Sequence, residues 1–270
     1  MKPIIVRGGG DLATGTIWQL CRAGYPVIIL ECSHPMAIRR EAAFCEAVRF
    51  GSKTVEGLTC QRVDSIREAL ERVSPSQPVL LVDEACSCLK DYQPDVLVDA
   101  ILAKKNLGTR IDMADLVIGI GPGFTAGVDV DFVVETVRGH KLARIIEEGS
   151  ALPNTGTPGI IAGYGRERVI HAPADGILTD HARIGDIVEK DQPIAHIRQT
   201  DGEEVPVPAT LTGVLRGILP DGYPVWKGLK MADIDPRKEE VNNCFTISDK
   251  ARCIAGTVVT LVTGWYNGVR

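Results

Sequence analysis

Short apolar runs alternate with segments of helical spacing over the first 150 residues of the chain. The apolar runs are Ile4–Val6, Val27–Leu30, Val79–Val82, Leu116–Ile120 and Phe132–Val134. Each run has the length of a buried strand, and strands that alternate with helices are typical of an α/β fold with a mostly parallel sheet. Ligands of such sheets bind beyond the carboxyl ends of the strands, so the loops after these runs are candidate site loops.

A glycine-rich turn follows the first apolar run. Gly8, Gly10 and Ala13 fit the pattern G-x-G-x-x-A, and Glu31 stands 21 residues after Gly10 at the end of the second run. In dinucleotide-binding proteins such glycines let the backbone approach a pyrophosphate, and the acidic residue binds a ribose hydroxyl. The spacing predicts a Rossmann-like α/β domain over residues 1–165. The alternative is a βαβ turn with a purely structural role.

The predicted cofactor-binding residues of this first turn are Gly8, Gly9, Gly10, Asp11, Ala13 and Glu31. Asp11 is the unusual member, because its carboxylate would repel a phosphate if it pointed into the turn. As an N-cap it would instead accept hydrogen bonds from helix amides.

A second glycine-rich loop, Gly121–Gly127, follows the fourth apolar run, and we expect it at the same edge of the sheet. It adds Gly121, Gly123 and Thr125 to the predicted cofactor-binding residues. The loop after Val82 contains Cys86 and Cys88, which are the candidate catalytic residues. Two thiols so close in sequence could relay sulfur or selenium or bind a soft metal, although ordinary loop cysteines are the favoured interpretation. No metal site is predicted, because no second cysteine pair or Cys/His set lies nearby in sequence.

Residues 166–236 carry an internal repeat. Gly176–Ile197 aligns without gaps with Gly213–Ile234, and short alternating segments in both halves indicate β structure. The repeat resembles the barrel-sandwich hybrid of biotinyl and lipoyl domains, with the turn Gly185-Asp186-Ile187-Val188. The link between the halves, residues 198–204, contains no lysine, so a carrier function is not expected.

Residues 237–270 are predicted to form a C-terminal helical segment. Ser248-Asp249 has the pattern of a helix cap, and the apolar residues that follow lie on one helix face: Ala251, Ile254, Ala255, Val258, Leu261 and Val262. Such a stripe has to be buried. We expect the helix to pack back on the α/β domain, and a homo-oligomer interface is the alternative.

Composition narrows the class of protein. The 270 residues are 44% hydrophobic and 24% charged, which is ordinary for a globular chain. A net charge of −5 without a basic block argues against nucleic acid or an anionic membrane as a partner. No signal-peptide pattern or membrane span is recognisable, so we expect a cytoplasmic protein whose eight cysteines are reduced.

Four motifs together resemble the YqeB family, whose members are accessory proteins of selenium-dependent molybdenum hydroxylases and are distantly similar to XdhC/CoxI maturation factors. The motifs are Arg7–Gly15, Gly121–Gly127, Glu135–His140 and Asn154-Thr155-Gly156. The resemblance implies a maturation role for a client hydroxylase of the xanthine or purine dehydrogenase type. The ligand would be a phosphate-bearing molecule, either a dinucleotide or the molybdopterin cofactor. The alternative function is that of an NAD-dependent oxidoreductase, although no acid–base set supports it.

Overall fold

A computed structural model describes residues 1–154, 156, 158–180 and 182–269. Thr155 of the Asn154–Gly156 motif therefore lies outside the described residues. The chain divides into two compact units. Unit 1 comprises Met1–Pro35, Ala42–Thr155 and Ile247–Arg270, and unit 2 comprises Met36–Glu41 and Gly156–Thr246. The sequence-based boundaries at residues 165 and 236 stay a prediction.

Unit 1 is built on a nine-stranded sheet. The strands of unit 1 are β1 (Ile4–Arg7), β2 (Val27–Glu31), β3 (Ser52–Val55), β4 (Leu58–Val63), β5 (Val79–Val82), β6 (Val96–Asp99), β7 (Leu116–Ile120), β8 (Thr125–Ala126), β9 (Phe132–Val134), β10 (Ile145–Ile146) and β11 (Gly149–Ser150). The short strands β8 and β11 form a separate two-stranded ribbon, and the others form the sheet. The order in the sheet is β10-β9-β7-β6-β1-β2-β5-β4-β3. The seven inner strands are parallel, and the edge strands β3 and β10 are antiparallel to their neighbours.

The α-helices of unit 1 are α1 (Asp11–Arg22), α2 (Ala47–Phe50), α3 (Ile66–Arg72) and α4 (Asp249–Tyr266). α4 packs closely along α1. Gly15 and Ala251 approach so closely that a Cβ added to Gly15 would lie 2.8 Å from the Cβ of Ala251. The amide of Gln19 donates to the carbonyl of Arg252, and Tyr25 bonds to Thr263. These successive pairs show that the two helices run parallel, with both amino ends at the same end. No helix in the described part of the chain is long and apolar enough to cross a membrane.

The prediction of a Rossmann-like domain is wrong. Both edges of the sheet are antiparallel, and the connections from β5 to β6, from β6 to β7 and from β7 to β9 contain no α-helix. These connections instead hold tight turns, two short 3-10 helices and the β8 strand. Apolar runs identify buried strands, but they indicate neither strand direction nor what lies between the strands.

Unit 2 consists of two four-stranded antiparallel sheets. The strands are β12 (Val169–His171), β13 (Gly176–Asp180), β14 (Ile187–Val188), β15 (Pro193–Arg198), β16 (Glu204–Pro208), β17 (Gly213–Ile218), β18 (Pro224–Val225) and β19 (Lys230–Asp235). One sheet has the order β12-β19-β17-β14 and the other β16-β15-β13-β18. A 3-10 helix, Lys238–Cys244, completes the unit.

The predicted barrel-sandwich-hybrid domain is corrected to this pair of sheets. The internal repeat places β13, β14 and β15 in positions equivalent to β17, β18 and β19. The middle strands change partners, since β14 pairs with β17 and β18 pairs with β13. Sequence repetition identifies equivalent strands, but the partner of each strand depends on long-range packing that the repeat does not encode.

Candidate functional site

The first two glycines of the turn after β1 are packed against the protein's own backbone. Gly8 has φ +92°, and an added Cβ would lie 3.0 Å from the Cα of Ile101. A Cβ on Gly9 would lie 3.0 Å from the backbone nitrogen of Cys45. Both positions lack a side chain because neighbouring loops occupy the space that a side chain would fill. Neither position therefore leaves open space.

Gly10 differs from both of its neighbours. It is the N-cap of α1 with φ −64° and ψ 179°, and a Cβ added there would meet no atom within 4 Å. Asp11 is consequently the first residue of α1 and not its N-cap, and its half-exposed side chain lies in the first turn, where a negative charge stabilises the helix. Ala13 is fully buried in the core. The open part of the turn is thus Gly10, at a helix amino end.

Glu31 is joined to the glycine turn by hydrogen bonds. Its carboxylate accepts from the backbone N–H of Gly9 at 2.7 Å through Oε2 and from that of Cys32 at 2.8 Å through Oε1. A carboxylate has about four acceptor positions, so both oxygens keep capacity for a further donor. The structure brings together Gly9, Gly10 and Glu31, hereafter the glycine rim.

A buried ion pair lies behind the glycine rim. Arg7 is 3% exposed and Asp99 is 1% exposed, and their side chains approach to 3.2 Å. Thr109 donates to Asp99 at 2.5 Å, and Arg7 also donates to Thr109. A further bond of 3.2 Å connects Arg7 to the carbonyl of Glu84. Burial raises the pKa of the Asp99 carboxyl, against the opposing effects of Thr109 and Arg7. The arginine at the end of the otherwise apolar β1 is the sequence feature that could have indicated this buried ion pair.

The two candidate catalytic cysteines lie in a turn after β5. Asp83 holds this turn, because its carboxylate accepts from the backbone N–H groups of Ser87 and Cys88 at 2.8 Å. Both thiols are buried, and burial is the main cause that raises the pKa of Cys86 and that of Cys88. Thiols with raised pKa values are poor nucleophiles at neutral pH. Within the described residues, no group of three or more His, Cys, Asp and Glu side chains could hold a metal ion.

The second glycine loop is close-packed. Gly121 has φ +85°, and a Cβ there would lie 3.1 Å from Thr136 Oγ1. At Gly123 an added Cβ would lie 2.7 Å from the Cα of Lys105. Thr125 donates its backbone N–H to Asp129 at 2.8 Å and pairs its hydroxyl with Ser150 at 3.2 Å. These contacts explain the small residues of this loop without a ligand.

Lys250, in the first turn of α4, is a further candidate that the sequence did not reveal. Burial and then the charge of Arg138 lower the pKa of its ammonium group, whereas the charges of Asp11 and Glu135 act in the opposite direction. Arg138 itself forms a bidentate pair with Asp249 at 2.9 and 3.1 Å. Lys250 thus places a positive charge within electrostatic range of the first residue of α1.

Comparison with known proteins shows strong sequence similarity to a curated bacterial protein. The chain is 45% identical over 269 residues to "Uncharacterized protein YqeB" of Escherichia coli strain K12, which covers 99% of this chain and 48% of that protein. The chain therefore spans about half the length of the curated relative that it matches. No family model matches the sequence.

Solved structures resemble the chain only weakly. The apo ectoine utilization protein EutE (DoeB) of Ruegeria pomeroyi has a TM-score of 0.28 at 10% identity, covering 86% of this chain and 85% of that one. A succinylglutamate desuccinylase of Silicibacter sp. has a TM-score of 0.27 at 12% identity, covering 86% and 84%. Similarity at this level assigns neither a fold nor an activity.

Proposed function

We propose that the chain belongs to the YqeB family and that it binds a nucleotide-bearing cofactor at the glycine rim. The 45% identity to YqeB over 99% of this chain supports the family assignment. In this proposal the chain is a cytoplasmic accessory factor that helps a selenium-dependent molybdenum hydroxylase of the xanthine or purine dehydrogenase type to acquire its cofactor. The bound ligand is the molybdopterin cofactor in its nucleotide form or another dinucleotide.

The observation that carries the ligand proposal is the position of Glu31 at the glycine turn, where its carboxylate bonds to Gly9 next to the open Gly10. The Glu31 carboxylate is oriented by two backbone N–H groups, and its remaining acceptor capacity suits the hydroxyls of a ribose. One residue beyond Gly9, the space over Gly10 is open at the amino end of α1. Backbone amides at a helix amino end favour a phosphate group.

The charges near the glycine rim have opposing effects on a bound phosphate group. Lys250 brings a cation from α4, whose amino end lies beside that of α1. Asp11 opposes it with a carboxylate in the first turn of α1. We therefore propose that the phosphate lies over Gly10 at the amino end of α1 and that the ribose binds the Glu31 carboxylate.

The maturation role that we propose is cofactor binding rather than sulfur or selenium transfer. A relay through Cys86 and Cys88 requires an accessible thiolate, whereas both thiols are buried and have raised pKa values. The turn that contains Cys86 and Cys88 is instead held by hydrogen bonds to Asp83, and Ser87–Lys90 form a 3-10 helix.

A graded series at Gly10 tests the ligand proposal. The backbone of Gly10 is accessible to any L-residue, so Gly10→Ala and Gly10→Val should fold normally while filling the open space. Isothermal titration with ADP, GDP, CDP and NAD should show binding to the parent, weaker binding to Gly10→Ala, and none to Gly10→Val. Gly256→Ala is the control, since its added Cβ would meet only one atom, 3.9 Å away. Failure of all four probes to bind the parent would overturn the ligand proposal.

Co-expression with a client enzyme tests the maturation role. A selenium-dependent molybdenum hydroxylase produced together with the parent chain should contain more molybdenum per subunit, measured by mass spectrometry, than the same enzyme produced with Gly10→Val. Equal molybdenum content in both preparations and in a preparation without the chain would contradict the role.

A further inference from the structure

Residues 36–41 belong to a different unit from the residues on either side of them. The segment Met36–Glu41 groups with Gly156–Thr246 in unit 2, whereas Pro35 and Ala42 belong to unit 1. The chain therefore leaves unit 1 after β2, contributes a short segment to unit 2, and returns to unit 1.

Unit 2 holds this segment mainly through β17. The backbone N–H of Ile218 donates to the carbonyl of Ile38 at 3.0 Å, and Arg40 Nε donates to the carbonyl of Ile218 at 2.7 Å. The approach at Gly217 is so close that a Cβ there would lie 2.7 Å from the Ile38 carbonyl oxygen. Arg39 adds a bond of 2.8 Å to the carbonyl of Asn243. Segment 36–41 is thus fixed by main-chain and side-chain bonds on unit 2.

Both flanks of the same segment are bonded to one residue of the glycine rim. On the amino-terminal side, Glu31 accepts from the Gly9 N–H at 2.7 Å. On the carboxyl-terminal side, the N–H of Cys45 donates to the Gly9 carbonyl at 2.8 Å. Phe44 is fully buried and bonds to Thr14 of α1, so this flank is firmly seated. Residues 32–45 therefore start next to Glu31 and end at Cys45, and both Glu31 and Cys45 are hydrogen-bonded to Gly9.

We propose that residues 32–45 form a coupling loop through which unit 2 controls ligand affinity at the glycine rim. The proposal rests on the proposed function. Release of residues 36–41 from β17 frees the amino-terminal flank, residues 32–35, to shift, and the N–H of Cys32 in this flank orients the Glu31 carboxylate. A ligand that needs the positioned rim then binds more weakly. By thermodynamic linkage, the bound ligand also tightens the hold of unit 2 on the segment.

Two variants with a matched control test the coupling loop. Arg40→Ala removes the bond to the Ile218 carbonyl, and Gly217→Ala pushes against the Ile38 carbonyl. Arg198→Ala removes an exposed arginine that bonds to Glu204 within one hairpin of unit 2. We expect at least about a fivefold increase in the Kd of whichever of ADP, GDP or CDP binds the parent for the two test variants. The control should stay within about twofold of the parent, the variation expected from a neutral surface change.

Hydrogen exchange on the parent chain provides a test that needs no variant. The bound nucleotide should slow amide exchange in peptides that cover residues 36–41 and β17, and leave the β15–β16 hairpin unchanged. Parent-like Kd values in both test variants together with unchanged exchange in β17 would overturn the coupling loop while leaving the ligand site intact. Absence of nucleotide binding to the parent would overturn both proposals.

Discussion

The backbone N–H of Gly9 donates a 2.7 Å hydrogen bond to the carboxylate of Glu31, 22 residues further along the chain. Gly9 follows β1 and Glu31 is the last residue of β2, and in these neighbouring parallel strands Arg7 lies opposite Leu30. The glycine turn and the acidic residue are therefore one hydrogen-bonded unit before any ligand arrives. Because Cys32 donates to the same carboxylate, the orientation of Glu31 is determined by the backbone on both of its sides.

Replacing Glu31 by glutamine should destabilise the protein. Glutamine offers one oxygen acceptor and an NH2 group, so one of the two N–H donors at Gly9 and Cys32 would face another donor. We expect a loss of about 1–3 kcal/mol in the free energy of unfolding, measured with urea. Glu204→Gln, at an exposed position, is the control and should change it by less than about 0.5 kcal/mol. Equal effects at both positions would contradict a structural role for the Glu31 contacts.

The reactivity of Cys32 should depend on Glu31. Burial and then the negative charge of Glu31 raise the pKa of the Cys32 thiol to about 11. Its alkylation by iodoacetamide, followed by peptide mass spectrometry, should therefore keep accelerating up to about pH 11. In Glu31→Gln the pKa of Cys32 should fall and its labelling at pH 8 should become faster. The exposed Cys253 serves as the internal control, and a Cys32 rate that Glu31→Gln does not change would refute the electrostatic effect.

Loss of the Arg7 guanidinium should destabilise unit 1 strongly, because Asp99 would remain buried without its ionic partner. For Arg7→Met we expect a loss of about 3–5 kcal/mol at pH 8 in urea unfolding, whereas the exposed Arg110→Met should be nearly neutral.

The effect of Arg7→Met should shrink as the pH falls. Burial already raises the native pKa of Asp99, and removal of Arg7 should raise it further. The folded variant then binds a proton at a higher pH than the unfolded chain does, so acid stabilises the variant relative to the parent. The difference in unfolding free energy between parent and variant should be smaller at pH 5 than at pH 8. A difference that grows towards acid would contradict this assignment.

The part of the site that the sequence predicts is local. The glycine turn and Glu31 are recognisable because a strand, a helix and a second strand follow one another within about thirty residues, a spacing typical of βαβ units. The Arg7 pairs with Asp99 and Thr109 join residues 92 and 102 positions apart, which no local pattern predicts. Lys250 comes within electrostatic range of Asp11 only because α4 packs parallel to α1. The antiparallel edges of the sheet are not predictable from local patterns either, since strand direction depends on partners distant in sequence.

Two helix glycines should respond in opposite ways to the same substitution. Alanine normally stabilises a helix interior by up to about 1 kcal/mol relative to glycine. At Gly15, however, the new Cβ would lie 2.8 Å from the Cβ of Ala251 and 3.0 Å from its carbonyl carbon, so α4 would have to move away. Overpacking of this kind costs about 1–3 kcal/mol, which exceeds the gain in helix propensity.

We therefore expect Gly15→Ala to lower the free energy of unfolding in urea and to accelerate amide exchange along α4. Gly256→Ala, where the nearest atom to the new Cβ is Gln19 Oε1 at 3.9 Å, should raise the free energy of unfolding by up to about 1 kcal/mol. Since both substitutions add one methyl group to a helix, their difference measures the close approach of α1 and α4 directly. Stabilisation by Gly15→Ala equal to that by Gly256→Ala would show that the two helices are not in contact at Ala251.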